Sequence, residues 1–207
     1  MTNSPIYPPG SIHMLIESDL VTPPTREALR ARLRTPAVVV PRFFSAAAFE
    51  TVCAVCDRLI PQAEHPRPID LAGTLDTRLA DGEGDGWRFA VMPPDALMHA
   101  MGLDGIDQAA TAMFGGAFSG LPDADQDAVL SAVQAGRAQG SIWGAMEAVL
   151  YFEELLALVT DIYFSHPLAS EEIGYAGMAD AHGWQAIGLD EREAHEPVSA
   201  SVLESAA

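Results

Sequence analysis

The sequence predicts an all-α protein, and three observations support this prediction. Apolar residues recur every three or four positions in several segments of the 207-residue chain, which is the spacing of an amphipathic helix. Capping residues or prolines precede these segments, and prolines or glycines follow them. The alternating pattern of a half-buried strand is almost absent. We expect a single irregular helical domain at residues 45–190, built around one central apolar helix, between a proline-rich arm at 1–44 and a disordered acidic tail at 191–207.

The N-terminal arm is rich in proline. A short helix fits at residues 25–34, because two prolines precede it and Pro36 follows it. Residues 37–40 are Ala-Val-Val-Val, a β-branched run between prolines that suits an extended edge segment better than a central strand. We expect this arm to wrap the core or a neighbouring chain.

Two helices are predicted in the first half of the helical domain. Ser45 suits the N-cap of a helix that Pro61 ends. Leucines in step predict a second helix at residues 69–80, and a glycine-rich loop follows at 81–86.

Two further helices are predicted before the central one. The first, at residues 93–114, opens with prolines and with Asp95 near the positive end of the helix dipole, although Gly102 and Gly105 weaken its middle. The second covers residues 121–136. With the central helix, we expect about five or six helices in all.

The central helix is predicted at residues 142–164. Glu147, Glu154 and Asp161 recur every seven positions and form one narrow acidic stripe, while most other side chains are large and apolar. A helix of this kind is buried on several sides, by its own domain or partly by another chain.

Glu153 projects away from the stripe among apolar residues, and a buried carboxylate needs a hydrogen-bond or charge partner. We favour a role in capping backbone N–H groups; the alternatives are contact with a basic residue of another chain, or a stand-alone all-α enzyme or small-ligand binder with Glu153 in an internal pocket.

The possible metal and redox motifs are weak. Cys53 and Cys56 form a CxxC in the middle of a predicted helix, whereas a redox pair would lie at a helix N-terminus, so two buried thiols are the favoured interpretation. The loop at residues 81–86 imitates the first half of a calcium loop, but Met92 stands where the bidentate acid is required. The sequence also contains no GxGxxG, P-loop, GxSxG or HExxH. We therefore expect no catalytic, cofactor-binding or metal-binding residue on this chain.

The charge of the chain disfavours two classes of partner. Eleven Lys and Arg residues against 29 Asp and Glu residues give a net charge of −18, which repels nucleic acid and anionic membrane surfaces. The most apolar stretch carries several acids, so we expect no membrane insertion. Residues 1–20 show no basic region and no twin arginine. We expect a cytoplasmic protein, or a periplasmic one only if a partner's signal exports it.

Several short motifs occur in a fixed order between residues 41 and 192. They are PRFF (41–44), CDRLIPQ (56–62), FSGLPDADQDAVL (118–130), WG (143–144), YFSHP (163–167), EIGYAG (172–177) and GWQAIG (183–188). This ordered set resembles the family of the small (third) subunit of membrane-type gluconate 2-dehydrogenase. It is most similar to the branch known as the hitch-hiker subunit of FAD-dependent glucoside 3-dehydrogenase.

The resemblance implies an accessory subunit without a cofactor of its own. Such subunits accompany an FAD-bearing large subunit of the glucose–methanol–choline oxidoreductase type, which oxidises a hydroxyl group of a sugar or glycoside. Electrons then pass to a c-type cytochrome or another acceptor. The small subunit supports folding and maturation of the large one, and no active site is expected on it.

An aromatic segment near the C-terminus is the expected contact with the large subunit. The expected partner-interface residues are Tyr163, Phe164, His166, Pro167, Tyr175, His182, Gly183 and Trp184. Exposed aromatic patches usually mark interfaces. For Tyr163 and Phe164, a place in the subunit's own core and a place at the interface are equally supported. The glycine beside Trp184 favours an interface loop for that residue. For His182 an ordinary loop histidine is the alternative.

Overall fold

The computed structural model describes residues 7–62, 68–84, 86–178 and 183–199. These residues form eight α-helices and two 3₁₀ turns and contain no strand, which confirms the predicted all-α class. The α-helices are α1 (Ser11–Glu17), α2 (Pro23–Arg34), α3 (Ala46–Leu59), α4 (Leu71–Asp81), α5 (Asp95–Phe114), α6 (Asp123–Gln134), α7 (Ala148–Phe164) and α8 (Pro167–Glu172). The 3₁₀ turns are Phe118–Gly120 and Ile142–Gly144. The chain divides into a terminal unit, residues 1–36 with 163–207, and a middle unit, residues 37–162.

The start of α3 follows the sequence prediction closely. The Ser45 hydroxyl accepts a hydrogen bond from the Ala48 N–H at 3.2 Å, as expected of an N-cap. Val52, Val55 and Cys56 are buried on one face of the helix, and Cys53 is half-buried. The cysteines therefore contribute to the packed face of α3.

Aspartates at α4 hold the segment that precedes α3. Asp70 caps α4 by accepting from the Gly73 N–H at 2.9 Å, and its second oxygen accepts from the Val38 N–H at 2.7 Å. The fully buried Asp76 accepts from the N–H groups of three consecutive residues, Arg42, Phe43 and Phe44, at 2.7, 3.0 and 2.9 Å. Residues 37–44 of the predicted arm are thereby attached to the middle unit by side-chain to backbone hydrogen bonds.

The helix α5 approaches its neighbours closely at its two internal glycines. A Cβ at Gly102 would lie 2.0 Å from the Tyr151 ring, and one at Gly105 would lie 2.5 Å from the Trp143 indole. The Trp143 indole N–H also donates to the Gly105 carbonyl at 3.1 Å. The glycines that weaken α5 as a helix thus make room for two aromatic rings in the middle unit.

The central helix is shorter than predicted and less completely buried. Residues 142–144 form a 3₁₀ turn, and α7 begins only at Ala148. One face of α7 is buried, but Val149 and Leu156 on the other face are 38% and 37% exposed, and Glu153 lies on that outer face in an exposed position. The prediction of a buried Glu153, and with it the alternative of an internal pocket around this residue, is wrong. The physical reason is that α7 buries one face of its apolar surface and leaves the face with Glu153 in contact with solvent.

The terminal unit contains two helices that the sequence did not predict. These are α1, within the supposed arm, and α8, which starts at Pro167. The buried core of the unit comprises Ile12, Leu15, Ile16, Val21 and Ala176. The number of helices in the described residues therefore exceeds the predicted five or six.

Polar contacts stabilise the terminal unit both within its first segment and between its first and last segments. The Glu171 carboxylate accepts from the Ile12 N–H at 2.9 Å. The Arg26 guanidinium donates to the carbonyls of Ile16, Ser18 and Val21 at 2.7, 2.6 and 3.0 Å. Residues from before position 36 therefore fold together with the segment that follows α7.

Candidate functional site

The middle unit contains an open cleft of about 530 Å³. The end of α4, the loop that follows it, the start of α5 and the middle of α7 form its walls. The lining residues are Arg78, Leu79, Glu83, Gly84, Trp87, Asp95, Met98, His99, Glu154, Ala157, Leu158 and Asp161. A volume of this size is typical of a small-molecule site.

Carboxylates dominate the charge of this cleft. Among the described residues that line it, Glu83, Asp95, Glu154 and Asp161 bring four carboxylates, against the one guanidinium of Arg78. Arg78 donates to Asp161 at 2.7 Å across α4 and α7, so its charge is already engaged. The cleft is therefore an acidic environment.

Trp87 lies in the loop that borders the cleft. Its side chain is 58% exposed, and its ring packs edge to face with Phe89 at a centroid distance of 4.9 Å. An exposed indole beside carboxylates presents a flat, electron-rich face to a ligand.

His99 is a buried polar residue that lines the cleft. It is only 3% exposed, and burial lowers its pKa to about 4, although the nearby Asp95 acts in the opposite direction. Its ring lies 6.1 Å from Tyr151 in an edge-to-face arrangement. Within the described parts of the chain, neither the His99 Nδ1 atom nor the Tyr151 hydroxyl has a hydrogen-bond partner. Burial also raises the pKa of Tyr151 above its usual range, so both groups are neutral near pH 7.

The described residues hold no group of three or more His, Cys, Asp or Glu side chains arranged to bind a metal ion.

The predicted interface residues belong to the terminal unit, and their environments differ. Phe164 is 47% exposed and packs edge to face with the half-buried Tyr163 at 5.2 Å. The Tyr163 hydroxyl donates a hydrogen bond to the Glu172 carboxylate. Burial, together with this hydrogen bond, raises the pKa of the phenol.

His166 and Pro167 take part in the local structure at the start of α8. The His166 Nδ1 accepts from the Leu168 N–H at 3.3 Å, and its Nε2 lies 3.3 Å from the Arg32 carbonyl. An imidazole that accepts through Nδ1 and donates through Nε2 is neutral. Burial lowers the pKa of His166, which favours this neutral form. Pro167 is buried at the first position of the helix.

The remaining predicted interface residues lie in the last described segments. Tyr175 and Trp184 are 53% and 49% exposed, and Gly183 is exposed. The Trp184 ring stacks on His195 at 6.0 Å, and His195 shares a small cavity with Tyr175, so Tyr175 and Trp184 lie in the same part of the terminal unit. His182 lies outside the described residues.

The sequence predicted two of the acidic residues that line the cleft but not its aromatic and histidine side chains. Glu154 and Asp161 were recognised as an acidic stripe on the central helix, and both line the cleft. Trp87 and His99 were missed, because neither stands in a motif. A signal was present in the helical spacing of Asp95 and His99, which places them on one face of α5.

These observations describe an all-helical protein with an acidic cleft in one unit and exposed aromatic side chains in the other. A family model described as Gluconate 2-dehydrogenase subunit 3 matches residues 46–189, which is more than half of the chain. The chain belongs to this family, as its ordered motifs predicted, and the family's description is that of one subunit of a dehydrogenase complex. No curated protein and no solved structure matches it. None of the helices in the described part of the chain has the length and hydropathy needed to cross a membrane.

Proposed function

We propose that the chain is a non-catalytic accessory subunit of an FAD-dependent sugar or glycoside dehydrogenase. Its partner is a large subunit of the glucose–methanol–choline type that carries the FAD and the active site. The accessory subunit supports folding, maturation and stability of that partner, as the hitch-hiker subunits of glucoside 3-dehydrogenase do. Electrons leave the complex through a c-type cytochrome or another acceptor, and the complex is cytoplasmic.

The observation that carries this proposal is the exposure of large apolar side chains near the end of the terminal unit. Ile173, Tyr175 and Trp184 are each about half exposed, and Ile187 and Leu189 are 83% and 94% exposed. Exposed single apolar residues are ordinary, but several within one short segment favour an interaction surface.

The kind of side chain also supports a protein partner. Tyrosine and tryptophan are enriched at the cores of protein interfaces, because they bury a large area at a small cost in conformational entropy. The family membership supplies a dehydrogenase subunit as the class of partner.

Purification of the full chain from its native host tests the proposal. A tag on the chain should recover a flavoprotein in a fixed ratio, and the pooled complex should show a flavin absorbance spectrum and sugar-dependent reduction of an artificial electron acceptor. The large subunit expressed without this chain should accumulate as insoluble protein or lack FAD.

Two results would contradict this function. One is a chain that remains a stable monomer in its host with no flavoprotein attached. The other is oxidation of a sugar by the purified chain alone. Fractionation of the host cells tests the cytoplasmic location separately.

A further inference from the structure

We propose that the acidic cleft of the middle unit binds an organic cation, that is, a guanidinium or ammonium group carried on a short alkyl chain. This inference rests on the cleft itself and is independent of the proposed dehydrogenase function. The charged head of the ligand lies against the carboxylates and the Trp87 ring, and its alkyl chain lies on the apolar wall.

The charge of the cleft favours a cation. Among the described lining residues, carboxylates outnumber cationic groups, and the guanidinium of Arg78 donates to Asp161 at 2.7 Å. Asp95 is half-buried at the start of α5, and its carboxylate lies close to the preceding loop, since a Cβ at Gly84 would lie 2.6 Å from its carboxylate oxygen. The whole chain carries a net charge of −18, which adds to the attraction of cations from solution.

The buried imidazole of His99 points independently to a ligand. Its Nδ1 atom is buried without a hydrogen-bond partner in the described structure, and a buried polar atom in that state destabilises the protein unless a ligand or water satisfies it. A neutral imidazole can accept a hydrogen bond from the N–H of a cation and exerts no charge repulsion on it. Because the pKa of His99 is about 4, the ring stays neutral at physiological pH.

The remaining walls suit an alkylated cation better than a bare metal ion. Trp87 is 58% exposed at the border of the cleft and offers a ring face for a cation–π contact. Leu79, Met98 and Leu158 provide apolar surface for the carbon chain. The described residues show no metal-ligand cluster, which also favours an organic cation.

A matched pair of small molecules tests the charge requirement. Ethylguanidinium and ethylurea have nearly the same shape, but only the first is charged. Isothermal titration calorimetry on the full chain, with its copurifying partner if it has one, should give saturable binding of ethylguanidinium and none of ethylurea at the same concentrations. Added sodium chloride should weaken the binding, because salt screens the carboxylates.

Two variants locate the site, and a third serves as a control. Trp87→Leu should weaken ethylguanidinium binding about two- to fivefold, as expected for loss of an exposed cation–π contact. Asp95→Asn should weaken it by a similar factor, about two- to fivefold. Asp104→Asn removes the same charge from an exposed position on α5 that does not line the cleft, so it should leave the affinity unchanged. Trp87 and Asp104 are exposed and Asp95 is half-buried, and circular dichroism should show that all three variants are folded.

A second ligand distinguishes the source of the cation. If acetyl-Gly-Arg-Gly-amide binds more tightly than ethylguanidinium, the cleft receives an arginine or lysine side chain of a protein; if it binds more weakly, the cleft receives a free organic cation. Either result supports the inference. It is overturned if ethylguanidinium shows no saturable binding, if ethylurea or glucose binds equally well, or if Asp104→Asn weakens binding as much as Asp95→Asn.

Discussion

Asp76 shows how one buried carboxylate can fix a stretch of irregular backbone. Its two oxygens accept three N–H groups from Arg42, Phe43 and Phe44, and its side chain is fully buried on α4. Backbone N–H groups that folding shields from water need a partner, and these three, one buried and two part-buried, do not lie in a helix or strand. The residue therefore replaces secondary structure as the hydrogen-bond partner of this segment.

Asp76→Ala should lower the free energy of unfolding by about 3 kcal/mol, because it leaves the buried N–H of Phe44 and the part-buried N–H groups of Arg42 and Phe43 without a charged acceptor. Urea denaturation followed by circular dichroism measures this change. Asp81→Ala is the control, since the ion pair that Asp81 forms with Arg42 is exposed, and its loss should change stability far less. Equal effects of the two substitutions would contradict the role given to Asp76.

The buried His99 makes stability depend on pH in a defined window. Its pKa is about 4 in the folded protein and 6.5 when the side chain is exposed. Below pH 6.5 the unfolded chain binds a proton that the folded protein does not bind, so the free energy of unfolding falls as the pH falls towards 4. The slope is at most about 1.4 kcal/mol per pH unit, and the total is about 3 kcal/mol.

His99→Phe should remove this contribution while roughly preserving the ring volume. The difference in unfolding free energy between His99→Phe and the unmodified protein should be constant above pH 6.5 and should change in favour of the variant between pH 6.5 and 4. Urea titrations at several pH values measure it. A difference that does not vary with pH would show that His99 is protonated equally in both states.

At the scale of the elements, α5 is adapted to its neighbours at the expense of its own helix propensity. Glycine costs about 1 kcal/mol relative to alanine in a helix interior, yet α5 contains two. The Tyr151 ring occupies the space beside Gly102, and the Trp143 indole occupies the space beside Gly105. The packing of two aromatic rings against bare backbone offsets that cost.

Gly102→Ala should therefore destabilise the protein, although alanine is the better helix former. Its Cβ would meet the Tyr151 ring at 2.0 Å, and overpacking of a core typically costs about 1–3 kcal/mol. Gly144→Ala is the control, because nothing lies within 4 Å of the added carbon and its backbone angles are not left-handed. Thermal unfolding should show a lower midpoint for Gly102→Ala only; a higher midpoint would contradict this account of α5.

Elements with strong local signals could be predicted from sequence. The Ser45 cap, the extents of α4, α5 and α6 to within a few residues, and the acidic stripe of α7 all follow from spacing and terminators. The short helices α1 and α8 could not be predicted, because seven and six residues give too little periodicity and tertiary contacts stabilise them. Glu153 was misjudged because a helical projection shows which residues share a face but not which face is covered.

At the scale of the whole molecule, the family of the chain can be predicted from its sequence, whereas the acidic cleft cannot. The family follows from ordered short motifs, and the matching family model confirms it. The acidic cleft draws on residues between positions 78 and 161, and only the fold brings them together. Trp87 and His99 carry no motif, so their role becomes visible only through exposure in one case and an unsatisfied buried atom in the other.

The exposed aromatic residues of the terminal unit lead to a prediction about the assembly. Tyr175 and Trp184 are half exposed and lie in the same part of the unit, so a partner can cover both. The double variant Tyr175→Ser/Trp184→Ser should weaken binding to the flavoprotein by about 30-fold or more, as loss of an aromatic hot spot does.

The dissociation constant of the reassembled complex, measured by calorimetry or by titrated co-purification, tests this value. The control is Met14→Ser/Leu20→Ser, which removes two exposed apolar side chains, 68% and 46% exposed, from α1 and the following turn of the same unit. Circular dichroism should show that both double variants are folded. If the control weakens the complex as much as the aromatic variant, the partner recognises apolar surface in general, and the assignment of the interface to the segment from residue 163 to 184 is wrong.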